Sequence, residues 1–385
     1  MKILGLIMEN NPFHKGHQYY IQEAINLVKP DYTVVITSGN YTMRGEFSII
    51  NKIDKTNVLL QNGVDFVFEL PFILTNHSAD FFAYHTVKIL NDLQITDLAF
   101  GCEDISLDEL INYAHFSDSE IFNTYFQETY HGETSYKKHH FETYKHFFND
   151  ANPNLSKPNN TLAIQYIKQI KKINPNIRIH KINRIGDDDL ESNIINNLYP
   201  SGTALRNLHI NNHNILEYLP NYDYTLNRID SNKILDLLKY RMLVQDNYNS
   251  NPVLNEGIAN LIKNNLNNTI SLDDLINKCV GTRYSASRIR RCILTLIMDT
   301  PNIPSSFSYN RLLGFNESKQ EYFKLLKQKD IKIFSSLKTE IDENTNEIIE
   351  TEKKASLLYD LVNNTSLYLS EYTMPIKYKG GNNER

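Results

Sequence analysis

The first hundred residues alternate between short apolar runs and longer segments with apolar residues at helical spacing. An unbroken apolar run, typical of a strand buried on both faces, covers residues 3–8, and largely apolar segments at 32–37, 64–70 and 97–100 predict three further strands. The intervening segments 16–28, 52–61 and 78–93 predict amphipathic helices. This alternation predicts a parallel sheet covered by helices, and right-handed crossovers make it a Rossmann-like α/β fold.

The rest of the chain is mostly helical in pattern. Residues 108–172 predict helices around a loop at 152–160, and 177–182 predict a last strand. Five later segments also predict helices: 234–244, 252–266, 272–279, 285–298 and 318–326. The polar stretch 211–230 separates the two regions. We therefore expect an α/β domain at 1–215 and a mostly α-helical C-terminal domain at 216–385, with a frayed tail from Met374.

Composition narrows the function classes. A formal net charge of −5 argues against a globally basic nucleic-acid coat, although it leaves room for a local basic patch. Three widely spaced cysteines form neither a disulfide framework nor a zinc pattern. No apolar run approaches the ~18 residues needed to cross a bilayer, and the first run is too short for a secretory signal. We expect a cytoplasmic protein with no membrane partner.

The candidate chemistry begins between the first strand and the first helix. The segment Glu9-Asn-Asn-Pro-Phe-His-Lys-Gly-His17 lies at the carboxyl end of a strand, where open α/β sheets bind ligands. A helix N-terminus there offers free N–H groups to phosphate, and Gly16 allows close approach of the backbone. His14 and His17 can point together at a triphosphate and donate hydrogen bonds to the charge of a leaving pyrophosphate.

A second candidate constellation is the segment from Tyr199 to Arg206. Ser201 and Thr203 can cap a helix while they offer hydroxyls to phosphate, and Arg206 can clamp phosphate oxygens. By itself this segment is better explained as an ordinary N-cap followed by an incidental arginine. Its pairing with the two histidines favours a nucleotide site.

Both constellations together resemble the HIGH-type nucleotidyl-transferase superfamily. Further segments, in the same order along the chain, resemble the bacterial tRNA(Met) cytidine acetate ligase family as far as about Asn316: residues 38–46, 64–71, 100–103, 157–162, 281–291 and 312–316. The chain departs from that family's usual residues at Thr42-Met43, at Phe47 and at Cys102. These departures affect loop details more than the reaction.

The resemblance implies that acetate attacks ATP to give acetyl-adenylate, and that the acetyl group then passes to the wobble cytidine of elongator tRNA(Met). Residues 1–215 would carry the ATP and acetate chemistry, with Mg²⁺ accompanying ATP and no dedicated metal site. Ser38, Gly39 and Asn40 are expected to line the acetate pocket. The catalytic residues implied are His14, His17, Thr203 and Arg206. The ATP site implied comprises Ile7, Met8, Glu9, Asn10, Asn11, Pro12, Phe13, His14, Lys15, Gly16, His17, Gln18, Tyr19, Tyr20, Gly101, Asn159, Asn160 and Arg184.

The tRNA side is expected on residues 216–385. The run from Gly281 to Arg291 holds an aromatic residue, four arginines and no acid, a composition that suits phosphate contacts and base stacking. A solvated helix face is the alternative interpretation. The residues concerned are Arg283, Tyr284, Arg288, Arg290 and Arg291, with Arg311 nearby in sequence.

Two other clusters of polar residues do not predict a metal site. The histidines at 131, 139, 140 and 146 lack a carboxylate or cysteine pattern that would complete a metal site, and Asp187-Asp188-Asp189 is interpreted as a solvated loop.

Two other functions stay open. One alternative is an enzyme that adenylylates a small phosphorylated cofactor precursor. The other is a non-catalytic RNA-binding protein with a relic nucleotide fold. The oligomeric state stays open.

Overall fold

The computed structural model describes residues 1–132, 134–186, 199–244, 251–255 and 257–380. Seven strands form one sheet: β1 (Ile3–Met8), β2 (Tyr32–Ser38), β3 (Phe66–Leu70), β4 (Asp97–Cys102), β5 (Arg178–Asn183), β6 (Leu312–Asn316) and β7 (Ile376–Tyr378). Their order is β5-β4-β1-β2-β3-β6-β7. Strands β1 to β5 are parallel, β6 is antiparallel to β3, and β7 is parallel to β6. The predicted Rossmann-like fold is confirmed.

Fifteen α-helices surround the sheet within the described residues. Along the chain they are α1 (Lys15–Val28), α2 (Lys52–Gln61), α3 (Phe72–Thr75), α4 (Ala79–Asp92), α5 (Leu107–Phe116), α6 (Glu120–Thr129), α7 (Tyr136–Phe147), α8 (Pro158–Ile173), α9 (Gly202–Ile210), α10 (Ser231–Val244), α11 (Ile258–Leu266), α12 (Leu272–Cys279), α13 (Ala286–Met298), α14 (Glu321–Gln328) and α15 (Glu343–Asn363). None of these helices combines the length and the apolar character that a membrane span requires.

Alternating side chains of the central strands build two cores. Leu4 and Leu6 of β1 face one side, where they pack with Ile21 of α1 and Leu59 of α2. The opposite face of the sheet packs against α4, α5 and α8. Because both faces are covered, the strands read as continuous apolar runs, which is why they stand out in the sequence. Helices α10 to α13 enclose a separate core, which also takes in the loop after β2 and part of α15.

The C-terminal third departs from the predicted pattern. Strands β6 and β7 and the long helix α15 are absent from the prediction, and the tail expected to fray supplies the edge strand β7 instead. The helix expected at 252–266 is interrupted, since only Ile258–Leu266 is α-helical. The expected division near residue 215 describes α10 to α13 as a helical unit. It does not account for β6 and β7, which return to the N-terminal sheet.

A buried ionic network joins the N-terminal sheet to the C-terminal segments. Lys52 Nζ lies 2.5 Å from Glu69 Oε1, 2.7 Å from Glu352 Oε1 and 2.9 Å from Glu371 Oε1. The guanidinium of Arg311 bridges the remaining oxygens of Glu69, at 2.8 Å, and of Glu371, at 2.6 Å. Each of these side chains is at most 4% exposed. The network therefore ties α2 and β3 to α15 and to the residues beside β6.

Substitution of Lys52 tests whether this network holds the fold together. Lys52→Met should lower the free energy of unfolding by about 3–5 kcal/mol, because it leaves buried carboxylates without their cation. The measurement is urea denaturation followed by circular dichroism. Lys88→Met is the matched control, since it breaks a partly exposed pair with Asp92 worth about 0.3–0.5 kcal/mol and a cation–π contact with Phe307 worth about 0.5–1 kcal/mol. Equal losses in the two variants would contradict this role.

Candidate active site

The strand order places a binding crevice at the end of β1. In the sequence β3-β2-β1-β4-β5 the order reverses between β1 and β4, and open α/β sheets bind ligands at such a switch point. The loop from Glu9 to His14 leaves β1 there and leads into α1. Asn10 has a positive φ of 51°, and Asn11-Pro12 is a cis peptide. The predicted histidine loop therefore lies at the crevice.

His14 and His17 form a reciprocal cap on α1. His14 is the N-cap residue, and its Nδ1 accepts a hydrogen bond from Gly16 N at 3.1 Å. His17 Nδ1 accepts one from His14 N at 3.3 Å, and the two ring centroids lie 3.9 Å apart. A Cβ on Gly16 would lie 2.9 Å from the His14 ring, so glycine is required for this close fit.

These hydrogen bonds fix the protonation state of both imidazoles. Because each Nδ1 accepts a backbone hydrogen bond, the ring proton lies on Nε2 and each ring is neutral. Burial, with the charges of Arg184 and Arg206, lowers the pKa of His14 to about 3. Burial also lowers the pKa of His17 well below its usual value, helped by His14, Arg184 and Lys55. Both Nε2–H groups are thus neutral donors at physiological pH.

The second sequence constellation docks onto the first. Ser201 caps α9, and its Oγ accepts from Ala204 N at 3.2 Å. Arg206 donates to the backbone oxygen of Asn11 at 2.7 Å and to Thr203 Oγ1 at 3.1 Å. A Cβ on Gly202 would lie only 3.2 Å from that Asn11 oxygen. The structure therefore brings His14, His17, Thr203 and Arg206 to one place, as the sequence predicts.

The far side of the crevice is formed at the ends of β4 and β5. A Cβ on Gly101 would lie 3.6 Å from Arg184 and 3.9 Å from the Tyr20 ring, so these three predicted residues are neighbours. The Tyr20 hydroxyl donates a hydrogen bond to the backbone oxygen of Ala99 at 2.7 Å.

Several predicted ATP-site residues bind the protein itself. Asn159 Nδ2 donates to Glu103 Oε1 at 2.5 Å. Asn160 Oδ1 accepts from Glu103 N at 3.0 Å, and its Nδ2 donates to Asn154 O at 2.8 Å. Gln18 Nε2 donates to Asn62 Oδ1 at 2.9 Å. In this structure the two asparagines therefore shape the loop after β4, and Gln18 joins α1 to α2.

The remaining predicted members divide between core and loop. Met8 and Phe13 lie in the core on the α1 side of the sheet, and Ile7 and Tyr19 pack at the core margins. Lys15 is half-buried in the first turn of α1. Any contact of these residues with a nucleotide stays a prediction.

Lys55 is a site residue that the sequence reasoning missed. Its fully buried ammonium donates to the backbone oxygens of Ser38, at 3.2 Å, and Gly39, at 2.8 Å, just after β2. Burial lowers the pKa of Lys55 while Glu9 raises it, and burial raises the pKa of Glu9 while Lys55 lowers it. Glu9 Oε1 also accepts from Met43 N at 2.6 Å. A buried lysine and a partly buried glutamate therefore flank the predicted acetate pocket.

Unpartnered polar atoms mark the same place. Both amide atoms of Asn10, the amide nitrogen of Asn11 and the hydroxyl of Ser38 are buried. Within the described part of the chain none of these atoms has a hydrogen-bond partner. Such atoms are costly unless a ligand or water satisfies them. In contrast, Asn40 Oδ1 is already occupied, because it accepts from Lys52 N at 2.9 Å.

The arginine cluster divides into two pairs. Arg283 and Arg288 lie over the Tyr284 ring, with guanidinium carbons 5.4 and 5.1 Å from its centroid. Arg290 and Arg291 turn instead toward the loop after β2, where Arg291 donates to the backbone oxygen of Met43 at 3.1 Å.

Arg311, which lies near the arginine run in sequence, is not part of the same surface. Its side chain is completely buried and forms part of the ionic network with Glu69 and Glu371. Proximity in sequence to the arginine run therefore does not place Arg311 on the same surface.

The histidine-rich stretch serves packing. His140 Nδ1 lies 2.8 Å from the Tyr113 hydroxyl, His139 Nε2 lies 3.0 Å from Thr129 Oγ1, and His146 stacks on Tyr125. Among the described residues, no group of three or more His, Cys, Asp or Glu side chains is placed to hold a metal ion. The three aspartates at 187–189 lie outside the described residues.

A switch-point crevice with a histidine loop on a helix N-terminus defines a nucleotidyl transferase, and the HIGH Nucleotidyl Transferase family matches residues 1–372. The chain is 32% identical to the tRNA(Met) cytidine acetate ligase of Clostridium kluyveri, over 97% of this chain and 98% of that one. It is 30% identical to that of Clostridium perfringens, over 98% and 100%. The chain belongs to the tRNA(Met) cytidine acetate ligases within the HIGH nucleotidyl transferases.

Solved structures of a related protein resemble this chain over nearly its whole length. Thermotoga maritima TmcAL in its apo form superposes with a TM-score of 0.84 at 26% identity, covering 99% of this chain and 100% of that one. The same protein bound with alpha-thio ATP gives a TM-score of 0.83 at 25% identity, with the same coverage. The similarity therefore extends to a relative in a nucleotide-bound state.

The neutral state of the two histidines can be measured directly. In nitrogen-detected NMR spectra, the His14 and His17 rings should keep the Nε2–H tautomer between pH 8 and 5, because each Nδ1 accepts a backbone hydrogen bond and burial lowers the pKa of both imidazoles. His14→Gln and His17→Gln variants assign the signals. A transition to the imidazolium form near pH 6 in either ring would contradict the tautomer assigned from the hydrogen bonds.

Proposed function

We propose that this protein is an ATP-dependent ligase that activates acetate and acetylates the wobble cytidine of elongator tRNA(Met). A carboxylate oxygen of acetate attacks the α-phosphorus of ATP, and pyrophosphate leaves. The exocyclic amine then attacks the acetyl carbonyl carbon, AMP leaves, and the amine loses a proton. The observation that carries the proposal is the docking of Arg206 onto the backbone of the histidine loop at the switch point.

His14, His17, Thr203 and Arg206 serve the first step. The two Nε2–H groups donate to oxygens on the leaving pyrophosphate, where negative charge grows as the bond to the α-phosphorus breaks. Arg206 supplies a permanent charge, and its bonds to Asn11 O and Thr203 Oγ1 hold the guanidinium in place before ATP arrives. The step needs positioning and charge stabilisation, and it needs no protein nucleophile.

Acetate binds at the end of β2. The unpartnered hydroxyl of Ser38 and the amide of Asn10 can donate to its carboxylate. The Lys55 ammonium, which donates to the backbone oxygen of Ser38, adds positive charge. Asn40 is less suited to this role, because its side-chain oxygen already holds the start of α2. Any Mg²⁺ would be held mainly by ATP itself and would offset part of the phosphate charge, because such sites usually bind the ion through the substrate.

Helices α10 to α13 form the RNA side. Arg283 and Arg288 lie over the ring of Tyr284, which is buried and therefore positions the two arginines rather than stacking on bases, so the proposed RNA contacts are those of the guanidinium groups with phosphate. Such an RNA-binding unit is superfluous for an enzyme that adenylylates a small cofactor precursor. The docked His14, His17 and Arg206 are superfluous for a non-catalytic RNA-binding protein. A tRNA substrate, ATP and three free buried cysteines fit a reducing cytoplasm.

Acetate-dependent exchange between ATP and pyrophosphate tests the proposed first step. His17→Ala should slow this exchange on the order of a hundredfold, because loss of one such donor costs about 2.7–4 kcal/mol of barrier. His131→Ala, which changes an exposed histidine, should exchange at the wild-type rate. Near-normal exchange by a folded His17→Ala protein would refute the role. Transfer of label from acetyl-coenzyme A to tRNA without ATP would refute the reaction.

The salt dependence of tRNA binding tests the RNA side. The double variant Arg283→Ala, Arg288→Ala should bind methionine tRNA more weakly, and its log–log salt slope should flatten by about one unit for each lost phosphate contact. Lys324→Ala, on the exposed face of α14, is the matched control. Affinity and slope equal to those of the wild type would mean that the two arginines only solvate the surface.

A further inference from the structure

The loop from Tyr41 to Phe47 lies between the ATP loop and α13. Its two ends form an isolated antiparallel bridge, and Thr42 N donates to Glu46 O at 3.0 Å. At its tip Gly45 has a positive φ of 72°, and a Cβ there would lie 2.5 Å from the backbone nitrogen of Arg291. Any side chain would collide with the helix backbone, so the loop sits directly on α13.

The Glu46 carboxylate is shared between the two sides of the enzyme. Its Oε2 lies 3.3 Å from Arg206 of the ATP side, and its Oε1 lies 3.5 Å from Arg290 of the RNA-side helix. The three side chains are 23%, 15% and 31% exposed, so anions can reach both guanidinium groups. The charge of Arg44 also acts on Arg206.

One carboxylate therefore faces two guanidinium groups, and its single charge cannot neutralise both of them. An anionic ligand that binds one arginine frees Glu46 to pair more closely with the other. Arg206 is the group aimed at ATP phosphates, and Arg290 is on the helix proposed to meet RNA phosphates. Binding of these two anions is thus linked through Glu46.

We propose that Glu46 orders the two half-reactions by exchanging between Arg206 and Arg290. The inference rests on the proposed function. When the triphosphate engages Arg206, Glu46 pairs with Arg290 and withholds it from RNA. After pyrophosphate leaves, Arg206 returns to Glu46, and Arg290 becomes available to a phosphate of the tRNA. The tRNA is therefore bound most tightly once the acetyl-adenylate is present.

Affinity for methionine tRNA in the two nucleotide states tests this order. Fluorescence anisotropy is measured with Mg²⁺ and a saturating concentration of either α,β-methylene ATP or a sulfamate analogue of acetyl-adenylate. The wild type should bind tRNA at least about fivefold more weakly with the triphosphate, the lower range of a typical coupling between sites. In Glu46→Gln, the two affinities should agree within about twofold. Arg290→Gln removes the partner of Glu46 on α13, so its two tRNA affinities should agree as well.

Glu321→Gln, at an exposed carboxylate on α14, is the control and should keep the fivefold ratio. Equal affinities in the wild type, or a ratio that persists in Glu46→Gln, would overturn the ordering role. Acetate-dependent pyrophosphate exchange is measured on the same wild-type preparation. Its absence would overturn the proposed function, whereas exchange with equal tRNA affinities would overturn the ordering alone.

Discussion

The buried network of Lys52, Arg311 and three glutamates is the constraint on which the rest of the structure depends. Although burial raises the pKa of Glu69, the charges of Arg311 and Lys52 lower it to about 2. Burial raises the pKa of Glu352 to about 7. The two carboxylates therefore act in opposite directions. Glu69 stabilises the fold above its unfolded pKa and loses this effect toward pH 2. The contribution of Glu352 is present at low pH and is lost as pH rises through 7.

The network also supports the floor of the active site. A Cβ on Gly39 would lie 2.9 Å from Glu69 Oε1, so the loop after β2 rests directly on the network. Lys52 begins α2, and Lys55, one turn later, binds the backbone oxygens of that same loop. The acetate pocket and the join between the two halves of the chain therefore share one helix. A unit ending near residue 215 would keep Lys52 but lack Arg311, the second counter-charge of Glu69.

Local pattern predicts the parts of this protein that depend on local sequence. Strand β1 and the histidine loop follow from an apolar run and a helix start. Strand β6 pairs with β3 across about 250 residues, and no periodicity within five residues can reveal such a partner. The buried lysines did leave a sign. Lys52 and Lys55 share the inward-facing stripe of α2 with Thr56 and Leu59, where charged residues are unexpected unless they are paired.

The imidazole and guanidinium groups differ in how they can interact with ATP, because one is a neutral donor and the other is permanently charged. In the proposed mechanism the permanent charge of Arg206 attracts the triphosphate before and during the reaction, so part of its effect is uniform binding. A neutral Nε2–H donor binds weakly to a fully hydrated phosphate and more strongly as charge collects on the leaving oxygen. Keeping His14 neutral requires burial and nearby cations, and both are present. The arginines proposed to recruit the nucleotide thus also lower the pKa of His14, which favours the neutral state that the proposed mechanism requires.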